Sequence, residues 1–179
     1  MKDTKNSRLA KFYPDEWVDS AYHIPYQDWY DKGKRGLIYD VDNTLVPHGA
    51  PATEESVALF KRLHEMGFKT LLISNNRKAR VEPFAKAMET DFISLANKPF
   101  EKNYHAGCRM MGLSEEQVLF IGDQLFTDVW GAKKAGIYSI LVDPINPKEE
   151  IQIVLKRRLE KVVLRKYLRD SGQKRSLGR

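Results

Sequence analysis

A single cysteine, Cys108, stands among 179 residues. The chain therefore has no disulfide framework and no Cys-based zinc cluster, which points to a reducing compartment. No apolar stretch approaches the roughly 18–20 residues that a membrane-spanning helix requires. The opening MKDTKNSRLAKFYP has a basic start but no apolar run after it, unlike a secretory signal. There is no fixed-period repeat, and only the stretch from Ser171 to Arg179 is of low complexity, so fraying is expected there. These absences argue against a disulfide-built secreted module and an integral membrane protein. What is present is a 42% share of hydrophobic residues, enough for one core of ordinary size and too little for two large domains. One soluble, cytoplasmic domain is the expectation.

The net charge is +6, and its location matters more than its size. From Lys148 to Arg179 there are 11 Lys and Arg against 4 Asp and Glu, a net +7, whereas the other 147 residues hold 19 against 20. The basic character belongs to the C-terminal segment. Such a segment suits a polyanion, either an anionic membrane surface or RNA, or it is simply a solvated helix. Three regions follow: an aromatic-rich N-terminal segment over 1–35 that packs on the core, a core over 36–146, and a basic helix with a frayed tail over 147–179.

Within the core, short apolar runs alternate with helical patterns. Gly36–Asp40, Lys69–Ser74, Asp91–Leu95, Gln117–Gly122 and Ile137–Val142 read as strands buried on both faces, because the runs are continuous and do not alternate. Thr53 reads as the N-cap of a helix that buries Val57, Phe60 and Leu63 and stops at Gly67. A second helix is expected to begin near Arg80, since Pro83 suits a first turn. A third spans Pro99–Met111 and a fourth Thr127–Ala135, closed by Gly112 and Gly136; Ser114 to Gln117 forms one short turn. This alternation predicts an α/β fold, doubly wound, with a five-stranded, mainly parallel sheet between two helical layers. Ligands then bind at the carboxyl ends of the strands.

Polar clusters fall at those ends. Asp40-Val-Asp42-Asn-Thr44 follows the first strand and Ser74-Asn75-Asn76 the second. Lys98-Pro99 follows the third, and Gly122-Asp123-Gln-Leu-Phe-Thr-Asp128 the fourth. Two carboxylates two residues apart are costly together unless a cation neutralises them, and Mg²⁺ is the usual hard cation where phosphate is present. Ser74 and Lys98 supply a donor and a positive charge for phosphate oxygens. One such Asp alone is commonly an N-cap; four clusters in register with four strands are a site.

The order and spacing of these residues resemble the haloacid dehalogenase (HAD) superfamily over residues 36–128. Asp40-Val-Asp42-Asn-Thr44 matches its D-x-D-x-T motif, Ser74 the second motif, Lys98 the third, and Asp123 with Asp128 the acidic fourth. The wording resembles one branch more closely still, the YqeG-type HAD IIIA phosphatases, which is similar to the mitochondrial phosphatidylglycerophosphate phosphatases. The resemblance implies a Rossmann-like three-layer sandwich and a phosphatase. It implies Asp40 as the nucleophile that forms an aspartyl-phosphate and Asp42 as the general acid and then base. Asp42 must begin protonated, so its neighbours are expected to favour the neutral form. Thr44, Ser74, Asn75 and Lys98 would hold the phosphate. Mg²⁺ would sit on Asp40, the Asp42 carbonyl and Asp123, with Asp128 as a ligand or an orienting neighbour. About thirty residues separate Asp42 from Ser74 and fewer separate Ser74 from Lys98, which leaves no room for a large cap domain. In this family an open site suits large or surface-bound substrates, or a cap borrowed from a second copy in a homo-oligomer. A phosphatidylglycerophosphate-like lipid, reached peripherally at the inner membrane face, is the favoured substrate; a scaffold that docks on RNA or the ribosome is the alternative.

The remaining features have bland readings. His48 is read as a solvated loop residue, His64 and His105 as exposed or partly packed, and Cys108 as packing. Phe12, Tyr13, Trp17, Tyr22, Tyr26, Trp29 and Tyr30 are expected to pack over a sheet edge. In the C-terminal helix, from about Pro147 to Asp170, Ile151, Leu155, Leu159 and Val162 form a stripe suited to docking. The first half of that helix is expected to pack, and the second half to be a contact surface.

Overall fold

The computed structural model of the protein describes residues 9–146 and 151–173, with side chains in the last segment from Lys156 onward. The expectations for the helix start at Pro147, for the side chains of Ile151 and Leu155, and for the fraying end beyond residue 173 lie outside the described residues. The elements run β1 (Glu16–Val18), α1 (Tyr26–Asp31), β2 (Gly36–Tyr39), α2 (Glu54–Glu65), β3 (Lys69–Ile73), α3 (Lys78–Ala87) and β4 (Asp91–Ile93). They continue α4 (Lys102–Met111), β5 (Val118–Gly122), α5 (Trp130–Lys134), β6 (Tyr138–Val142) and α6 (Ile151–Ser171).

All strand pairings are parallel, in the order β1-β6-β5-β2-β3-β4. Among the described residues the sheet thus has six strands and not the expected five. The extra one, β1, comes from the N-terminal segment and pairs with β6 along Glu16↔Ile140 to Val18↔Val142. Its three half-buried residues, Glu-Trp-Val, are too few to show a periodicity, which is why the sequence hides it. Of the N-terminal aromatics, Tyr13, Tyr26 and Trp29 are buried, and Phe12 meets Phe126 and Trp130 edge-on.

The period-two alternation of the strands sorts their side chains into two cores. Leu37, Tyr39, Leu72, Leu119 and Ile121 face Leu59, Phe60 and Leu63 of α2 and Phe84 of α3. Ile38, Leu71, Ile73 and Phe120 face Tyr104, Cys108 and Met111 of α4 and Ala132 of α5. Burying such a side chain contributes roughly 1.5–3 kcal/mol. The strand ends that carry the polar loops are therefore held rigidly from both sides.

Local rules account for most boundaries. The Thr53 side chain caps α2 in a reciprocal box with Ser56, and the buried face reads Ser56, Leu59, Phe60 and Leu63, leaving Val57 on the exposed side. Helix α3 starts at Lys78, two residues before the expected point, so Pro83 lies in its interior. There it forfeits the hydrogen bond that its missing N–H would have given to the Ala79 carbonyl, and its ring crowds that carbonyl. Helix α4 starts at Lys102, after a turn that holds Pro99. The expected Thr127–Ala135 helix is a π-helical turn, Leu125–Val129, running into α5.

Helix α6 corrects the expected docking stripe. Leu159 and Val162 are 57% and 56% exposed, whereas Glu160, Val163, Leu164 and Tyr167 are buried. The buried set is spaced i, i+3, i+4, i+7 and packs on Tyr13, Leu125, Val129 and Leu141. The sequence carries two apolar stripes of similar strength, and the partner surface beside β6 selects between them. The later turns pack, and the outward face joins Leu159 and Val162 to exposed Arg158, Arg165 and Arg169.

Candidate active site

The chain leaves β2 in one direction to build β3 and β4 and returns on the other side to build β5 and β6. The crevice beside β2 and β5 is the point where a doubly wound sheet accepts ligands. Asp40 extends the β2 ladder by one bond, its N–H donating to the Ile121 carbonyl at 2.9 Å. The chain then curls: Leu45 N–H donates to the Val41 carbonyl, Asn43 N–H to the Val46 carbonyl, and Asn43 takes a left-handed φ of 63°. This turn buries both Asp40 and Asp42.

Asp40 and Asp42 occupy different environments. The Lys98 Nζ donates to Asp40 Oδ1 at 2.7 Å and to Asp128 Oδ1 at 2.6 Å, and the lysine side chain is only 4% exposed. The other oxygen of Asp40 accepts no hydrogen bond among the described residues. Asp42 receives three donors: Arg80 Nη2 at 2.8 Å, Asn76 Nδ2 at 2.6 Å and the Gly49 N–H at 2.8 Å. Gly49 sits at φ +76°, where a side chain would be strained. All three partners are donors.

Lys98 is itself positioned. Asn75 Oδ1 accepts its backbone N–H at 2.7 Å, so the Asn75 side chain fixes the lysine loop as well as lining the cavity. Asp128 is fully buried behind Lys98 and accepts the Gln124 N–H through its second oxygen. Gly122 makes that approach feasible, because a Cβ there would come within 2.6 Å of the Asp128 carboxyl carbon. Asp123 accepts from the Thr44 hydroxyl at 3.2 Å through Oδ1, and its Oδ2 is paired with Arg157 of α6. Thr44 is thus turned toward Asp123. Ser74, 1% exposed, accepts the Asn76 N–H through Oγ.

A cavity of about 200 Å³ brings Asp40, Asp42, Ser74, Asn75 and Lys98 together, with Asn43, His48, Asn76, Gln124, Thr127 and Lys156 completing its wall. Asp123, Asp128 and Thr44 lie outside that lining. His48, read as a loop residue in solvent, faces the cavity. Burial pushes Asp40 up to about 7 against the opposing pull of Lys98, and Asp123 up to about 7 against that of Arg157. Burial alone would lower Lys98, but Asp128 and Asp40 hold it well above its ordinary value.

Asp40, Asp123 and Asp128 each offer a carboxylate oxygen, and the three oxygens lie within 4.8 Å of one another. Three buried carboxylates face two cations, Lys98 and Arg157. Hard oxygen donors with a deficit of positive charge suit Mg²⁺.

Asn76 was read as a member of its strand-end cluster without a role of its own, and three contributors, Arg80, Arg157 and Glu160, gave no local signal. Each sits on a helix whose partner is set by the tertiary fold.

The parallel sheet, the carboxylate pair at its central strand end and the buried lysine define a hydrolase of the HAD-like class. The model of the haloacid dehalogenase-like hydrolase family matches residues 15–136, and the chain belongs to this family. It is 36% identical to "Probable phosphatase YqeG" of Bacillus subtilis over 158 residues, covering 87% of this chain and 92% of that protein. It is 28% identical to the phosphatidylglycerophosphate phosphatase 1 of Arabidopsis thaliana chloroplasts and mitochondria, covering 84% of this chain and 47% of that protein. A solved structure from Vibrio cholerae shares the fold at a TM-score of 0.53 and 18% identity, covering 89% of this chain and 98% of that one.

Proposed function

We propose that this phosphatase-type hydrolase cleaves phosphomonoesters with the aid of Mg²⁺, through an aspartyl-phosphate on Asp40. The observation that carries the reading is the asymmetry of Asp40. One oxygen is neutralised by Lys98, the other accepts no hydrogen bond among the described residues, and the residue lines the cavity. In the first step an Asp40 oxygen attacks phosphorus, the bond to the alcohol oxygen breaks, and Asp42 passes a proton to that oxygen. In the second, water attacks phosphorus, Asp42 takes its proton, and the bond to Asp40 breaks. Ser74 and Lys98 hold the phosphoryl oxygens, Asn75 keeps Lys98 in place, and Thr44 steadies Asp123. Asp40, the Asp42 carbonyl and Asp123 would hold the ion, with Asp128 orienting Lys98. When bound, the ion supplies positive charge to the phosphoryl oxygens.

The substrate class we favour is a lipid phosphomonoester resembling phosphatidylglycerophosphate, met at an anionic membrane surface. The site has no large cap domain over it among the described residues, and α6 turns Arg158, Arg165, Arg169, Leu159 and Val162 outward. The two plant and algal relatives named as phosphatidylglycerophosphate phosphatases point the same way. No described helix is long and apolar enough to cross a membrane, so contact would be peripheral. The test is a panel of soluble and vesicle-borne phosphomonoesters assayed with Mg²⁺ and with EDTA. The reading expects turnover that chelation abolishes, fastest on the vesicle-borne lipid. Activity that survives exhaustive chelation contradicts the metal assignment. A preference for soluble esters contradicts the lipid assignment.

A further inference from the structure

Among the described residues, helix α6 is joined to the acidic cluster through Arg157. Arg157 donates through Nη1 to the Asp123 backbone carbonyl at 2.5 Å and pairs through Nη2 with Asp123 Oδ2. The same Nη1 reaches Glu160 Oε2 at 3.1 Å. Glu160, 3% exposed, uses its other oxygen to accept the Leu125 N–H at 2.8 Å and, more weakly, the Phe126 N–H. The backbone from Asp123 to Phe126 is therefore gripped at a carboxylate, a carbonyl and two N–H groups by two side chains one helical turn apart.

We propose that Arg157 and Glu160 are paired positioning residues, through which the C-terminal helix sets Asp123 for divalent cation binding. The inference rests on the Mg²⁺ reading given above. Arg157 occupies Oδ2, and Thr44 steadies Oδ1, so the rotation of the carboxylate is fixed from both sides. A lone guanidinium at a ligand would also repel a cation. Glu160 cancels that charge, so the pair brings orientation without net charge. Neighbours that orient a metal ligand commonly change affinity by about 10–100-fold.

Two consequences follow. Cation affinity depends on residues more than thirty positions beyond the ligand. By linkage, cation binding also steadies α6 on the body, since two sites that favour one arrangement favour each other. The helix keeps its own anchor in Val163, Leu164 and Tyr167, so removing the polar pair leaves its seat in the core intact.

The test is calorimetric titration of the full chain with Mg²⁺, without substrate. Arg157→Gln and Glu160→Gln should each weaken Mg²⁺ binding about tenfold. The double variant should weaken it by less than the product of the two, because they act as a unit. Arg157→Lys should recover only part, since an ammonium cannot span the carboxylate and the carbonyl together. Hydrogen exchange of the α6 amides in the wild type should slow when Mg²⁺ is added. A wild type that binds Mg²⁺ while Arg157→Gln binds it equally well or more tightly overturns the inference, the tighter case marking Arg157 as a competitor. Faster or unchanged α6 exchange on adding Mg²⁺ overturns it too. A wild type that binds no Mg²⁺ removes the metal reading and this inference with it.

Discussion

Lys98 and Arg157 bring the two cations to the acidic cluster by opposite routes. Lys98 follows the strand next to β3 in the chain, sits in a loop of the sheet itself, and touches Asp40 and Asp128 with a side chain that is 4% exposed. Arg157 arrives on a helix from outside the sheet, is 17% exposed, and touches Asp123. The sheet loops carry the groups assigned to chemistry. The added helix carries groups that adjust them. Removing the first kind should destroy function, and removing the second should tune it.

Asp40→Asn is the sharpest way to break that division. The amide keeps the shape but is a very poor nucleophile, so turnover should fall by on the order of 10³-fold or more. Circular dichroism and the melting curve should remain those of a folded chain. Near-native turnover in this variant would contradict the covalent route.

Lys98→Met sharpens the comparison on the stability side. It leaves Asp40 and Asp128 buried without their shared cation, so the loss should be on the order of 3 kcal/mol in urea unfolding. Arg157→Gln, at a more exposed site, should cost less. Equal losses would place the two cations on the same footing.

The next effect is on pH dependence. In the chain without metal, burial pushes Asp40 and Asp123 up to about 7 from their ordinary value of 3.8. The folded state then binds more protons than the unfolded one across that window, so the contribution of these groups to stability falls as pH rises through it. The melting temperature in chelator should be lower at about pH 8 than at about pH 5, and Mg²⁺ should raise it most at the higher pH. A Mg²⁺ effect independent of pH would contradict the burial of these carboxylates.

The smallest effect is expected at the outward face of α6. Reversing Arg158, Arg165 and Arg169 to Glu should leave hydrolysis of a soluble ester unchanged. Each charge near an anionic surface is worth on the order of 1 kcal/mol, so activity on vesicle-borne lipid should drop. A variant that loses RNA co-sedimentation and keeps vesicle activity would favour the RNA alternative.

The sheet and the strand-end clusters were legible because their signals are local. A buried parallel strand must be a continuous apolar run, and a ligand-bearing loop must follow it within a few residues. Asp40, Asp42, Ser74, Asn75 and Lys98 meet at one cavity for that reason. The edge strand Glu16–Val18 was not legible, since three residues carry no period. Arg80, Arg157 and Glu160 were hidden for a different reason: a charged residue on an amphipathic helix looks solvated until the fold supplies its partner. On α6 two apolar stripes competed, and only contact with Leu125 and Leu141 decided between them. What the sequence could not show is therefore where helices dock, not what the sheet presents.

The stereochemical course at phosphorus tests the central claim most directly. A phosphorothioate substrate made chiral at phosphorus with oxygen isotopes is hydrolysed by the wild-type enzyme with Mg²⁺ in isotopically labelled water, and the configuration of the released thiophosphate, or of the ester formed with an acceptor alcohol, is read by NMR. Two in-line displacements, first by Asp40 and then by the acceptor, predict overall retention. Inversion would mean that water attacks directly, with Asp40 never bonded to phosphorus.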